Sequence, residues 1–157
     1  MKKITPFLIG IAIPLAVGGA SALLSGSGRD FYESITQPPL SPPSILFPIV
    51  WSILYVLMGI SATLVYLDRA RDPHTARDGL STYAASLVVN FFWSIFFFRF
   101  RLFLFSFIWL LLLLVLIVRT ILLYRRVCPV AAYLQIPYAL WVAFAGYLNV
   151  AIYLLNR

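Results

Sequence analysis

The chain has 157 residues, of which 62% are hydrophobic, 17% aromatic and only 11% charged. A soluble domain is about 45–50% apolar and about 25% charged, so this composition excludes an ordinary water-soluble globule and a disordered chain. The net charge of +7 lies in short segments between apolar runs. That distribution is typical of membrane topology and differs from the contiguous basic face of a nucleic-acid-binding protein. We therefore expect an integral membrane protein whose partner is the lipid bilayer and not nucleic acid.

Five apolar stretches are long enough to cross a bilayer as helices, which takes about 20 residues. They run over residues 4–24, 47–67, 80–98, 102–123 and 129–155. Because they do not alternate strictly between apolar and polar residues, they are not barrel strands. The predicted fold is an all-α membrane protein, a five-transmembrane-helix bundle that forms a single domain over residues 1–157.

The first stretch has two interpretations. Met1-Lys2-Lys3, an apolar core and Ala20-Ser21-Ala22 are similar to a signal peptide with its cleavage site. The charge-free stretch is longer than a usual signal core, however, and small residues recur at every fourth position, which permits close helix packing. These residues are Gly10, Pro14, Gly18 and Ala22. We expect a retained transmembrane helix.

The lysines and arginines predict the orientation, since cytoplasmic loops are enriched in them. The N-terminal side of the bundle would hold Lys2, Lys3, Arg69, Arg71, Arg77, Arg125 and Arg126. The opposite side would hold Arg29, Arg99, Arg101 and Arg157. We therefore expect a cytoplasmic N-terminus, and the short chain with its minimal loops indicates a bacterial cell membrane.

The longest connection, residues 25–46, contains Gln37-Pro38-Pro39-Leu40-Ser41-Pro42-Pro43. Its prolines fix φ and bias the preceding residues away from helix. We expect this loop to form a stiff, structured cover over one end of the bundle. It is either a lid over a binding site or a tight connector.

The residue types at membrane depth exclude several kinds of chemistry. No Asp, Glu, Lys, Arg or His falls in the middle of a predicted span, which argues against ion-coupled transport. The single histidine, His74, lies in the polar segment between the second and third spans. The sequence therefore excludes a bis-histidine haem, a clustered metal site and a serine–histidine protease site in the membrane. We expect no metal and no required cofactor.

Three spans carry a stripe in which a tryptophan accompanies aromatic, small or amide residues. The stripes are Trp51, Leu54, Tyr55, Met58 and Gly59; Asn90, Trp93 and Phe97; and Pro137, Trp141, Ala145, Leu148 and Asn149. Taken singly, the amides are explained by interhelical hydrogen bonds and the tryptophans by an interfacial belt. Together they predict a shared pocket. Because lipid already solvates apolar ligands, affinity must come from ring stacking and hydrogen bonds, which favours a flat polycyclic ligand.

The chain resembles the translocator protein/tryptophan-rich sensory protein family, also called peripheral-type benzodiazepine receptors. The matching motifs are Tyr32…Gln37-Pro38…Pro42-Pro43…Trp51-x-x-Leu54-Tyr55-x-x-Met58-Gly59, Asn90-x-x-Trp93…Phe97-Phe98 and Pro137-Tyr138-x-x-Trp141-x-x-Phe144-Ala145-x-x-Leu148-Asn149. The resemblance extends over nearly the whole chain. It departs from the family in the loop, where Phe31, Gln37 and Leu40 replace the usual Trp, Lys and Trp.

The resemblance implies a membrane receptor or sensor, commonly a homodimer, that binds porphyrins such as protoporphyrin IX and haem, or isoquinoline carboxamide drugs. By motif, the pocket would lie under the first loop and comprise Tyr32, Pro42, Trp51, Asn90, Trp93, Trp141, Ala145 and Leu148. Some bacterial members promote light- and oxygen-dependent porphyrin breakdown, which the family links to the tryptophans matching Trp51 and Trp141. Whether this chain is such an enzyme stays open. The alternatives are a membrane carrier for porphyrins, lipids or sterols and a purely structural helical subunit.

A pattern proposed for sterol binding, Leu/Val-x(1–5)-Tyr-x(1–5)-Lys/Arg, occurs three times. The matches are Leu64…Tyr66…Arg69, Leu122…Tyr124…Arg126 and Leu148…Tyr153…Arg157. The pattern is weak, and three matches in one short chain show how little each one means.

Overall fold

The computed structural model describes residues 4–26 and 28–157, and its secondary structure there is helical with no strand. Its helices are α1 (Ile4–Ser25), α2 (Gly28–Ser34), α3 (Leu46–Leu67), α4 (Pro73–Ser94), α5 (Phe103–Val127) and α6 (Pro129–Leu155). All except α2 are long and apolar enough to cross a membrane. The predicted all-α membrane fold with five spanning helices is confirmed. Lys2 and Lys3, on which the predicted orientation partly rests, lie outside the described residues.

The five long helices pack in a ring in which α1 contacts α3, α3 contacts α6, α6 contacts α5, α5 contacts α4 and α4 contacts α1. Glycines allow the closest of these approaches. A methyl group on Gly59 of α3 would lie 2.5 Å from the carbonyl oxygen of Gly10 on α1, a separation that real side chains do not show. Small residues of α1 therefore face α3, and their size sets the distance between the two helices.

α4 begins at Pro73, before the predicted Leu80, because the sequence provides a helix cap. The carboxylate of Asp72 accepts a hydrogen bond from the backbone N–H of Thr75 at 3.2 Å, and Pro73 occupies the first helical position. Hydrogen bonding from the side chain of Thr75, and then from its backbone N–H, lowers the pKa of the Asp72 carboxyl. The span predicted from hydropathy left out this first part of α4 because its residues are polar. α5 likewise continues to Val127, beyond the predicted Leu123.

α4 passes into a π-helical turn, Ile95–Arg99, where the N–H of Phe100 donates to the first carbonyl of the turn at 3.1 Å. Such turns change the direction of the side chains that follow. The ring of Phe31 on α2 packs edge-on against Phe97 and Phe98 of this turn, with centroid distances of 6.0 and 5.9 Å. The π turn thus anchors α2, the helical part of the predicted cover.

The rest of the loop, residues 35–45, is tied to the last turns of α6. The hydroxyl of Tyr147 donates to the carbonyl oxygen of Pro39 at 2.6 Å. The side chain of Asn156 accepts from the backbone N–H of Thr36 at 3.0 Å and donates to its carbonyl oxygen at 2.9 Å. These bonds hold the loop over the end of the bundle where α3 begins and α6 ends.

Candidate functional site

α3 presents three aromatic rings on one face, because Phe47, Trp51 and Tyr55 are each four residues apart. The indole of Trp51 stacks on Tyr55 at a centroid distance of 5.5 Å. Its edge meets Tyr138 of α6 at 6.3 Å. Trp51 itself is half-buried, so its ring is packed on one side and accessible on another.

Phe47 connects the loop to α6. The ring of Tyr32 in α2 packs on Phe47 with a centroid distance of 5.0 Å. Phe47 in turn packs on Trp141 at 5.8 Å, and Trp141 contacts Phe144 on the next turn of α6 at 5.5 Å. A continuous row of rings therefore runs from the loop across α3 to α6. We call this set, with Trp51 and Tyr55, the aromatic row.

Tyr32 joins the aromatic row to the proline-rich segment. Its hydroxyl donates to the carbonyl oxygen of Pro42 at 2.8 Å, and its own carbonyl accepts from the side-chain amide of Gln37 at 2.9 Å. Burial raises the pKa of the Tyr32 phenol, so the phenol stays a hydrogen-bond donor beyond the pH at which an exposed tyrosine ionises. A cavity of about 470 Å³ opens beside it, lined by Tyr32, Glu33, Gln37, Ser41, Pro42, Pro43, Ser44 and Ile45.

The indole N–H of Trp141 has no hydrogen-bond partner among the residues that the structure describes, although the nitrogen is buried. A buried donor without an acceptor costs free energy, about 1–3 kcal/mol in mutational series. An acceptor oxygen placed at this nitrogen would remove that cost. Trp141 thus combines a ring in the aromatic row with a buried N–H that has no acceptor among the described residues.

Asn90 reaches the aromatic row through Tyr138. Its side-chain amide donates to the Tyr138 hydroxyl at 3.2 Å, and both side chains are buried. Because Tyr138 also meets the edge of Trp51, this hydrogen bond fixes one wall against which Trp51 packs. The structure accordingly connects Trp51, Tyr138 and Asn90 across three helices.

Trp93 is held in a different set of contacts. Its indole N–H donates to the side-chain oxygen of Asn149 at 3.0 Å, and the Asn149 amide donates to the carbonyl oxygen of Phe103 at 2.8 Å. Its ring stacks on Phe97 at 5.3 Å. These contacts join α4, α5 and α6 in the core.

Ala145 and Leu148 of α6 are also buried. Five of the eight residues implied by motif fall into two connected groups. Tyr32 bonds to Pro42 and reaches Trp141 through Phe47, whereas Trp51 reaches Asn90 through Tyr138. Sequence reasoning did not single out Phe47, the ring that joins Tyr32 to Trp141. The available signal was its spacing, one helical turn before Trp51 on the same face.

The model of the TspO/MBR family matches residues 10–155 of this chain. The chain belongs to the TspO/MBR family. It is 35% identical to the tryptophan-rich protein TspO of Chlorobaculum tepidum over 156 residues, which cover 99% of this chain and 98% of that protein. It is 33% identical to the protein CrtK of Rhodobacter capsulatus, over 92% of this chain and 89% of that protein. It is 31% identical to the translocator protein of sheep, over 90% of this chain and 85% of that protein.

Family membership and five apolar spanning helices establish this TspO/MBR protein as an integral membrane protein. The match extends over α3, α4 and α6, which carry the three tryptophan stripes. The homodimer and the cytoplasmic N-terminus stay predictions.

Proposed function

We propose that this TspO/MBR protein is a membrane receptor that binds a planar tetrapyrrole, such as protoporphyrin IX, against the aromatic row beneath the first loop. The observation that carries the proposal is the Trp141 indole, whose ring packs in the row while its buried N–H finds no acceptor in the part of the chain that the structure describes. A porphyrin offers both complements, since its face stacks on rings and its carboxylates accept hydrogen bonds. The same features suit a flat drug-like carboxamide.

The loop supports the proposal because it supplies polar groups next to the rings. Gln37 lines the loop cavity together with Tyr32, whose ring packs on Phe47. Its amide keeps a second N–H besides the one donated to the Tyr32 carbonyl, and this N–H could donate to a carboxylate edge. The pocket residues in this proposal are those implied by motif. Among them Trp51 and Trp141 would contact the tetrapyrrole plane, while Asn90 would act through Tyr138.

Light- and oxygen-dependent breakdown of the bound porphyrin is the catalytic extension of this proposal. An excited porphyrin in contact with an electron-rich indole is placed to react through it, which assigns Trp51 and Trp141 as the catalytic candidates. No metal takes part in this scheme. Dioxygen would be the oxidant.

The binding test is a titration of the purified protein in lipid nanodiscs with protoporphyrin IX, followed by the porphyrin absorbance. Trp141→Phe keeps a ring in the row but removes the N–H. A hydrogen bond to a charged group is worth about 1.5–3 kcal/mol, so we expect affinity to fall about 10- to 150-fold. The matched control is Trp109→Phe on α5, whose indole donates to the Val89 carbonyl at 2.7 Å. Equal affinities in the two variants would refute the site.

The catalytic extension has its own assay, in which porphyrin disappearance is followed under light and air. We expect the wild-type protein to accelerate the loss and the double variant Trp51→Phe/Trp141→Phe to remove that acceleration. If the porphyrin disappears at the same rate with and without protein, the protein is a receptor and not an enzyme.

A carrier for porphyrins, lipids or sterols is the second candidate, favoured by the name "translocator protein" of the sheep relative. It requires movement across the bilayer, which a receptor does not. Flux of protoporphyrin IX into proteoliposomes that exceeds protein-free vesicles would support the carrier, whereas binding without added flux would eliminate it.

A further inference from the structure

A second cavity, of about 620 Å³, lies at the opposite end of the bundle from the loop over residues 25–46, between the end of α3 and the beginning of α4. Arg69 lines it in the connection, and Leu80 and Ser81 line it about 10 Å further along α4 at 1.5 Å per residue. The headgroup layer on each side of a bilayer is about 5–7 Å thick. With the hydrocarbon beginning at Leu80, where the apolar stretch of α4 begins, the cavity would extend from the headgroup level to the edge of the hydrocarbon. The aromatic row takes no part in it.

Two guanidinium groups line this cavity. Arg69 is fixed in place, because it donates to the carbonyl oxygen of Tyr66 at 2.6 Å and its guanidinium carbon lies 4.0 Å from the centroid of the Tyr66 ring. Arginine has five N–H donors, so most of those on Arg69 remain available. Arg77 has no hydrogen bond or ion pair to any other described residue. Both side chains are exposed.

Two of the three carboxylates in residues 68–78 contact other groups, and the third, Asp68, is not among the residues that line the cavity. Asp72 caps α4 by accepting from Thr75 at 3.2 Å, and Asp78 lies 3.4 Å from the imidazole of His74. No carboxylate is among the described residues that line the cavity. Although residues 68–78 carry almost no net charge, the charged side chains among them that line the cavity are both arginines.

The remaining lining is suited to a lipid. Tyr66 and Leu67 end α3 with exposed side chains, and Leu80 extends the apolar wall along α4. The hydroxyl of Ser81 lies on the same wall. A ligand held here meets two guanidinium groups at one end of the cavity, with aliphatic side chains and Ser81 further along it. Those are the complements of a phosphodiester and of the first carbons of an acyl chain.

We propose that the cavity formed by Tyr66, Leu67, Arg69, Arg77, Leu80 and Ser81 is a binding site for an anionic phospholipid of the surrounding leaflet. Arg69 and Arg77 bind the phosphate, and Leu67 and Leu80 contact the acyl chains. This assignment also accounts for the Leu64…Tyr66…Arg69 match to the weak sterol pattern, because Tyr66 positions the Arg69 guanidinium.

The test is native mass spectrometry of the detergent-solubilised protein titrated with phosphatidylglycerol or phosphatidylcholine. We expect the first phosphatidylglycerol to bind more tightly than phosphatidylcholine. One arginine near a membrane surface is worth about a fivefold change in affinity for anionic lipid, so Arg77→Gln should weaken phosphatidylglycerol about fivefold and Arg69→Gln/Arg77→Gln about 30-fold. Arg69→Lys/Arg77→Lys keeps the charge and should retain most of the affinity.

The matched control is Arg125→Gln/Arg126→Gln, which removes two exposed arginines from the end of α5 on the same side of the bundle. We expect it to change phosphatidylglycerol affinity less than twofold. Equal weakening in both pairs would show a general charge effect and overturn the proposal. Displacement of the lipid by comparable concentrations of soluble glycerol 3-phosphate, or selective retention of a sterol, would overturn it as well. Thermal unfolding and porphyrin titration of each variant separate loss of this site from loss of the fold or of the porphyrin site.

Discussion

Gly18 of α1 positions the Tyr55 ring, which in turn supports Trp51, so the substitution Gly18→Ala tests the candidate site from outside it. The added methyl group would overlap the Tyr55 ring, lying 2.6 Å from Cζ and 2.9 Å from Cδ2. Carbon atoms pack at about 3.5–4.0 Å, so the ring has to move by about 1 Å. Because Tyr55 stacks on Trp51 at 5.5 Å, that movement disturbs the face offered to a tetrapyrrole.

Gly18→Ala should lower both the stability of the protein and its affinity for protoporphyrin IX. The overpacking costs about 1–3 kcal/mol of stability. The stack contributes about 0.5–1.5 kcal/mol, so we expect protoporphyrin IX affinity to fall between about twofold and about tenfold. Thermal unfolding and the porphyrin titration measure the two effects separately.

Gly19→Ala is the matched control, because a methyl group there meets no atom within 4 Å. It should leave both stability and porphyrin affinity close to those of the wild-type protein. If Gly18→Ala behaves like Gly19→Ala in both assays, then either Tyr55 does not support the site or the porphyrin binds elsewhere.

Three further predictions concern the core and the loop. Trp93→Phe leaves the buried oxygen of Asn149 without its donor, so the free energy of unfolding should fall by about 1–2 kcal/mol; an unchanged value would contradict the core role given to this tryptophan. Asn156→Ala removes both side-chain bonds to Thr36, so limited proteolysis should cut residues 35–45 faster; an unchanged rate would contradict the role given to these bonds. Burial raises the pKa of Tyr32 above its ordinary value of 10.0, so its contribution to loop stability is present below pH 10 and is lost as pH rises through the raised pKa. Tyr32→Phe should remove that part of the alkaline transition, as measured by proteolysis across the same pH range.

The sequence was enough to predict the five-helix fold because a bilayer permits few backbone structures to cross it. A backbone in hydrocarbon must satisfy its own hydrogen bonds, so each apolar run of about 20 residues is a helix whatever its neighbours are. Helical spacing from their neighbours along the chain likewise predicted that Trp51, Asn90 and Trp141 lie on aromatic faces of their helices. The sequence predicted the helix boundaries less well, since the polar first turns of α4 depend on the Asp72 cap and not on hydropathy.

The tertiary structure decided which side chains meet. Helical spacing assigned Trp93 and Trp141 to equivalent stripes. Yet the Trp93 indole bonds to Asn149 in the core, whereas the buried N–H of Trp141 has no acceptor within residues 4–26 and 28–157. Sequence distance does not encode that difference, because it depends on how α4 and α6 are rotated against their neighbours. The pairing of Phe47 with Trp141 and the turning of Arg77 toward a cavity while Asp78 faces His74 have the same origin. Both arrangements depend on how the helices and their connections pack together, which amino-acid composition does not specify.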